Sequence, residues 1–178
     1  LVPASATGAY SDALSHARGA HYAEPEGVAM HADIAAAMPG LARHEGVWEG
    51  VYRHLDGNAA LIDQHHTRIV CELPKEGPYA YIQHNHFWWP DGREVRAVLP
   101  GILRDGRLWW DTATFHGYGW ETLDGIFMLN LTRKDEPGAN FYEMINLGAD
   151  GLRRARIWHW FKDGALYRRT LCDEVKVG

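Results

Sequence analysis

Gly46-Val47-Trp48-Glu49-Gly50 opens a run of strand-like segments that continues almost unbroken to the C-terminus, and this one feature removes most folds from consideration. The apolar period falls toward 2, with turn residues at short intervals, and predicts about nine strands. They lie near 46–56, 60–73, 78–89, 94–99, 106–118, 125–133, 139–147, 152–162 and 164–176. Several of the turns are Asp-Gly, at Asp105-Gly106, Asp124-Gly125, Asp150-Gly151 and Asp163-Gly164, residues that tolerate the positive φ of tight hairpins. Successive hairpins without interleaved helices form an antiparallel meander, and one this long leaves costly unpaired edges unless it closes. The expected fold is therefore all-β, an antiparallel up-and-down barrel of about 8–10 strands, wide enough for one small ligand.

Residues 1–44 have a different texture. They are Ala-rich, and Ser11-Asp12-Ala13-Leu14 and Asp33-Ile34-Ala35-Ala36-Ala37-Met38 read as short helices, the second ended by Pro39-Gly40. The expected organisation is a helical leader or plug over 1–44 and a single barrel domain over 45–178, since 178 residues suit one domain.

Net charge is −5, and the basic residues gather only in the short Arg153-Arg154-Ala155-Arg156 cluster, which argues against nucleic acid as a partner. No apolar run reaches the roughly 18–20 residues that span a bilayer. Cys71 and Cys172 lack metal-ligand spacing and read as buried thiols, with a disulfide as the alternative. A cytoplasmic location is the expectation. Ala4-Ser5-Ala6 has the small-residue form of a signal-peptidase site, so a removed export signal is the alternative.

The helical leader, Gly46-x-Trp48 at the start of the first strand, the hairpin meander and Arg168-Arg169 on the last strand together resemble the lipocalin/calycin superfamily. The resemblance implies a calycin-like barrel in which the motif tryptophan closes the floor and a last-strand arginine packs across it. The chain lacks the Thr-Asp-Tyr motif and the paired cysteines of secreted lipocalins, which turns the expectation from secreted transport toward enzymes and binding proteins of calycin type.

Candidate chemistry follows from strand alternation. In Tyr79–Trp89 one face carries Ile82, His84, His86 and Trp88, the other Tyr81, Gln83, Asn85 and Phe87. If Trp48 faces inward, Gly50, Tyr52 and His54 share its face. Trp110, Thr112, Thr114 and His116 alternate with Trp109, Asp111, Ala113 and Phe115, Tyr142 and Glu143 lie on opposite faces, and Arg156, Trp158 and Trp160 alternate with Ile157, His159 and Phe161. His65 and His66 straddle their strand, so only one can face inward, and neither is a favoured candidate.

His84-x-His86 with Glu94 and Gly101 partly matches a cupin metal motif, but seven residues separate His86 from Glu94, more than that motif has, so no metal and no cofactor are expected. The sequence expectation is a cofactor-independent acid–base enzyme of isomerase, cyclase, lyase or dehydratase type. Its substrate is a small hydrophobic molecule, aromatic or polyketide- or terpenoid-like, held in the barrel. Eight Trp, eight Tyr and five Phe suit the walls of such a pocket. The catalytic candidates are His84 and His86 as base, Tyr52 and Tyr142 as oxyanion donors, and Asp111 and Glu143 as partners that orient the imidazole. The substrate-binding candidates are His54, Trp88, Trp110, His116, Trp120, Arg156 and Trp158. Two alternatives stand beside this expectation: a non-catalytic carrier of a hydrophobic metabolite or of haem, held by His84, His86 or His116, and a cupin-like metal enzyme using His84 and His86. Expected partners are the small ligand and, in a homo-oligomer, further copies of the chain, with no nucleic acid and no membrane.

Overall fold

A computed structural model describes residues 33–178. The helix expected at 11–14 lies outside the described residues. The second one is present as α1 (Ile34–Ala37), followed by α2 (Pro39–Ala42). Asp33 caps α1, its carboxylate accepting from Ala35 N at 2.9 Å and Ala36 N at 3.3 Å. Pro39 begins α2, where its missing N–H leaves no intrahelical bond unmade.

Ten strands follow among the described residues: β1 (Gly46–Asp56), β2 (Leu61–Glu72), β3 (Tyr81–Trp88), β4 (Glu94–Arg104), β5 (Arg107–Asp111), β6 (Phe115–Glu121), β7 (Phe127–Arg133), β8 (Ala139–Leu147), β9 (Arg153–Lys162) and β10 (Ala165–Lys176). Each pairs antiparallel with its sequence neighbours, and β1 pairs with β10, so the meander closes into an up-and-down barrel. Closure removes the free edges. Two of the expected Asp-Gly turns are two-residue hairpins with both central residues at positive φ, Asp105 at 53° and Gly106 at 68°, Asp163 at 49° and Gly164 at 81°. The expected strand over 106–118 divides into β5 and β6, because Thr112 leaves the ladder to build a local turn. Its hydroxyl accepts from Phe115 N at 3.0 Å and Thr114 N at 3.3 Å.

Trp48 sets the phase of the barrel. It is fully buried and opposite Ile69, which is opposite Asn85, which is opposite Ala97. Directly opposed residues share a face, so Tyr81, Gln83, Asn85 and Phe87 point inward, and His84, His86 and Trp88 point out. Tyr52 and His54 follow Trp48 inward, as the motif's parity implies.

The helices cover the end where β1 begins. Ile34, Met38 and Leu41 join the core, Leu41 N donates to Glu121 Oε2 on β6 at 2.8 Å, and Trp48 Nε1 donates to the His44 carbonyl at 2.8 Å. The arginine over Trp48 is not from the last strand. Arg154 on β9 lies 4.4 Å from the indole, with Lys176 of β10 at 5.5 Å, whereas Arg168 packs near Trp160 and Tyr167 and Arg169 reaches the carbonyl of Gly57 at 3.3 Å. Ten strands and the register place Arg168 at the opposite end from Trp48. Cys71 and Cys172 are buried free thiols.

Candidate functional site

Four ionisable side chains lie in the barrel interior above Trp48. Arg154 and Arg156 on β9 and Glu174 on β10 alternate inward with their strands, and Glu143 does so on β8. Arg154 Nε donates to Glu174 Oε2. Arg156 Nε donates to Glu143 Oε1 at 2.7 Å, and its Nη1 donates to Tyr52 Oη at 2.8 Å and to Glu174 Oε1 at 3.4 Å. Two guanidinium groups and two carboxylates balance in charge, which is what allows them to leave water together.

Their environments divide the carboxyls. Burial raises Glu143 above the usual carboxylate range despite the opposing pull of Arg156. Glu174 is equally buried, yet the attraction of Arg154 and Arg156 outweighs that burial and holds it low. Burial also pushes the Tyr52 phenol well up, with Arg156 opposing. Tyr52 Oη accepts from Arg156, so its own proton is left to donate elsewhere.

Above this polar floor lies a cavity of about 80 Å³. Arg156 and Glu143 border it on one side, His54 and Thr170 on another. Phe87, Trp110, Phe115, Phe141, Trp158 and Trp160 supply rings, Leu99, Leu129 and Leu131 aliphatic wall, and Gln83 and Asn85 amide groups. Gln83 Nε2 donates to Asn85 Oδ1 at 2.7 Å, which fixes both amides.

A second polar group sits where β1 pairs with β2. His54 is opposite Asp63, and His65, two residues along β2, shares the inward face of Asp63. His54 Nδ1 lies 2.7 Å from Thr170 Oγ1, which also accepts from Trp160 Nε1 at 2.9 Å. His65 Nδ1 lies 3.1 Å from Asp63 Oδ2, and Trp89 Nε1 donates to Asp63 Oδ1 at 2.9 Å. Burial first, then the neighbouring His65 and Arg168, lower His54 to about 3, so its imidazole is neutral. Burial alone would raise the Asp63 carboxyl; the hydrogen bonds from His65 and Trp89 outweigh it and hold it below the usual range.

Of the residues predicted from sequence, Tyr52, His54, Trp110, Glu143, Arg156 and Trp158 meet around the cavity. The others lie on the outer face. His84 pairs with Glu72 and His86 with Glu94, each at 3.2 Å. Asp111 pairs with Lys134, Tyr142 is 47% exposed, and Trp88 stacks on His66 with ring centroids 5.5 Å apart. His116 is exposed and Trp120 packs against Tyr118. The outward histidines are not placed to act on a molecule in the barrel as base, haem ligand or metal ligand. Sequence reasoning passed over Glu174, Arg154, Asp63 and His65. The signal for Arg154 was a charge alternating in phase with Trp158 and Trp160 along β9, whereas β10 carries no tryptophan to phase Glu174; for Asp63 and His65 it was the hairpin register that sets Asp63 opposite His54.

No protein-family model matches the chain, and no curated protein matches it. Two solved structures similar to it are also β-barrels. One is a Nostoc punctiforme protein of unknown function from the DUF3598 family, at 17% identity and a TM-score of 0.61, with 77% of this chain and 49% of that one covered. This chain spans about half of that protein's length. The other is an S-type phycobiliprotein lyase from Guillardia theta, at 15% identity and a TM-score of 0.61, with 77% of this chain and 90% of that one covered. At these identities the likeness is one of fold. The chain is a closed ten-stranded antiparallel barrel, consistent with the calycin-like architecture that Gly46-x-Trp48 implies.

Proposed function

We propose that the barrel binds a small, mainly apolar, ring-containing molecule and moves a proton on it, in isomerase, cyclase, dehydratase or lyase chemistry. The observation that carries this reading is the Tyr52–Arg156–Glu143 set facing a cavity walled mainly by aromatic and aliphatic side chains. Because Arg156 is already matched by carboxylates, the cavity favours a neutral ligand with an oxygen acceptor over an anion. Tyr52 donates to that oxygen, and the bond strengthens as negative charge develops there. Glu143 has the task first expected of His84 and His86. Burial moves its carboxyl upward, in the direction proton transfer near neutrality requires, and Arg156 orients it. The walls exclude water and align the rings.

The second reading is a carrier, favoured by the same observation taken differently: Arg156, Glu143 and Glu174 satisfy one another and ask nothing of a ligand. The bicyclic aromatic ketone 2-tetralone separates the two, since its α C–H exchanges with D₂O when a base and an oxyanion donor act together. The enzyme reading expects binding with catalysed exchange, and Tyr52→Phe and Glu143→Gln each lower exchange about 10²–10⁴-fold while binding survives. Binding without exchange identifies a carrier. Full exchange in both variants contradicts the assigned roles.

A further inference from the structure

The His54–Asp63–His65 group lies beside the machinery just described and takes no part in it. Among the described residues, one potential ligand atom from each of the three lies within 4.8 Å of the other two. We propose that these three side chains bind a divalent first-row transition ion of the zinc or ferrous-iron class, at the cavity wall.

The chemistry of the donors points there. Two imidazoles and one carboxylate suit borderline divalent ions, and three protein ligands leave coordination positions open. The hairpin supplies all three ligands without help from distant elements, because His54 opposes Asp63 across β1 and β2 and His65 is two residues from Asp63 on one face. Two surrounding groups are of the kind that orient metal ligands: Thr170 contacts Nδ1 of His54, and Trp89 donates to the Asp63 carboxylate. Asp63 Oδ2 and His65 Nδ1 already stand 3.1 Å apart. The His65 ring is clamped by Trp89, with centroids 4.3 Å apart, and by Phe87 and Tyr52, each at 5.3 Å. Ligand atoms about 2.1 Å from an ion stand about 3.4 Å apart in a tetrahedron, so binding draws the group inward by about an ångström. His54 also lines the cavity, which directs open positions toward a bound molecule. The expectation of no metal was built on His84 and His86, whose outward placement leaves this inward group untouched. The proposal does not rest on the cavity chemistry, since Tyr52, Arg156 and Glu143 keep their roles whether or not an ion binds.

Titration of the full chain with Co²⁺ tests it, with His84→Gln/His86→Gln as control for the outer histidines. The expected result is one ion per chain with visible d–d absorption, affinity lowered more than about tenfold in Asp63→Asn and in His65→Gln, and no change in the control. Zinc-soaked crystals of the unaltered protein give an answer even if those variants fail to fold: an anomalous peak at the zinc edge between His54 and His65. Absence of both the peak and stoichiometric Co²⁺ binding overturns the proposal, as does binding lost only in the outer double variant.

Discussion

His44 shows how one buried residue sets a solution property. It is 1% exposed and lies against the Arg154 guanidinium at 3.4 Å. Burial first, then the positive charges of Arg154, Arg156, Arg43 and Lys176, lower it to about 3 from the ordinary 6.5. The folded state therefore binds fewer protons than the unfolded chain between those values. The stability this group contributes is complete above pH 6.5 and is lost as pH falls toward 3, at up to about 1.4 kcal/mol per pH unit. Urea unfolding at pH 6 and pH 4 is expected to show a smaller difference for His44→Gln than for the unaltered protein, by about the titration of one proton. Equal differences would remove His44 from the acid sensitivity. In the sequence this residue is one of eleven histidines, and nothing local marks it; its burial comes from the helices folding over Trp48, a long-range event.

At the scale of elements, the alternation within each strand was legible and the absolute phase was legible only on β1. There Trp48 supplied an inward reference, and Tyr52 and His54 followed. On β3 both faces mix rings with polar groups, so the choice between His84 and Gln83 could not be made from the strand alone; it required the register from β1 through β2. The Asp-Gly turns were visible because their φ demand is local, whereas the break at Thr112 arises from a side-chain turn that competes with the ladder. Within β6, Gly117 is a position where a single added methyl group meets backbone. It has φ of 147°, and a Cβ there would lie 2.2 Å from the Asn130 carbonyl oxygen across the β6–β7 ladder. Gly117→Ala is expected to destabilise by about 1–3 kcal/mol, combining backbone strain and steric displacement, read as a lower urea midpoint. An unchanged midpoint would mean that the ladder yields freely at that point.

For the whole molecule, composition and meander sufficed to expect a closed barrel with a hollow, and the cavity is lined by rings from several strands. Composition did not show that four charges would share its floor. Charged residues in strands usually face water, and only the combined phases of β8, β9 and β10 turn Glu143, Arg154, Arg156 and Glu174 inward together. The central claim is that this hollow is a binding site, and calorimetric titration of 2-tetralone into the unaltered protein and into Ala97→Phe tests it most directly. Ala97 lines the cavity, so the added ring occupies the ligand's space. One molecule bound per unaltered chain and none in the folded Ala97→Phe variant is the predicted result; equal binding by both, or binding by neither, would contradict it.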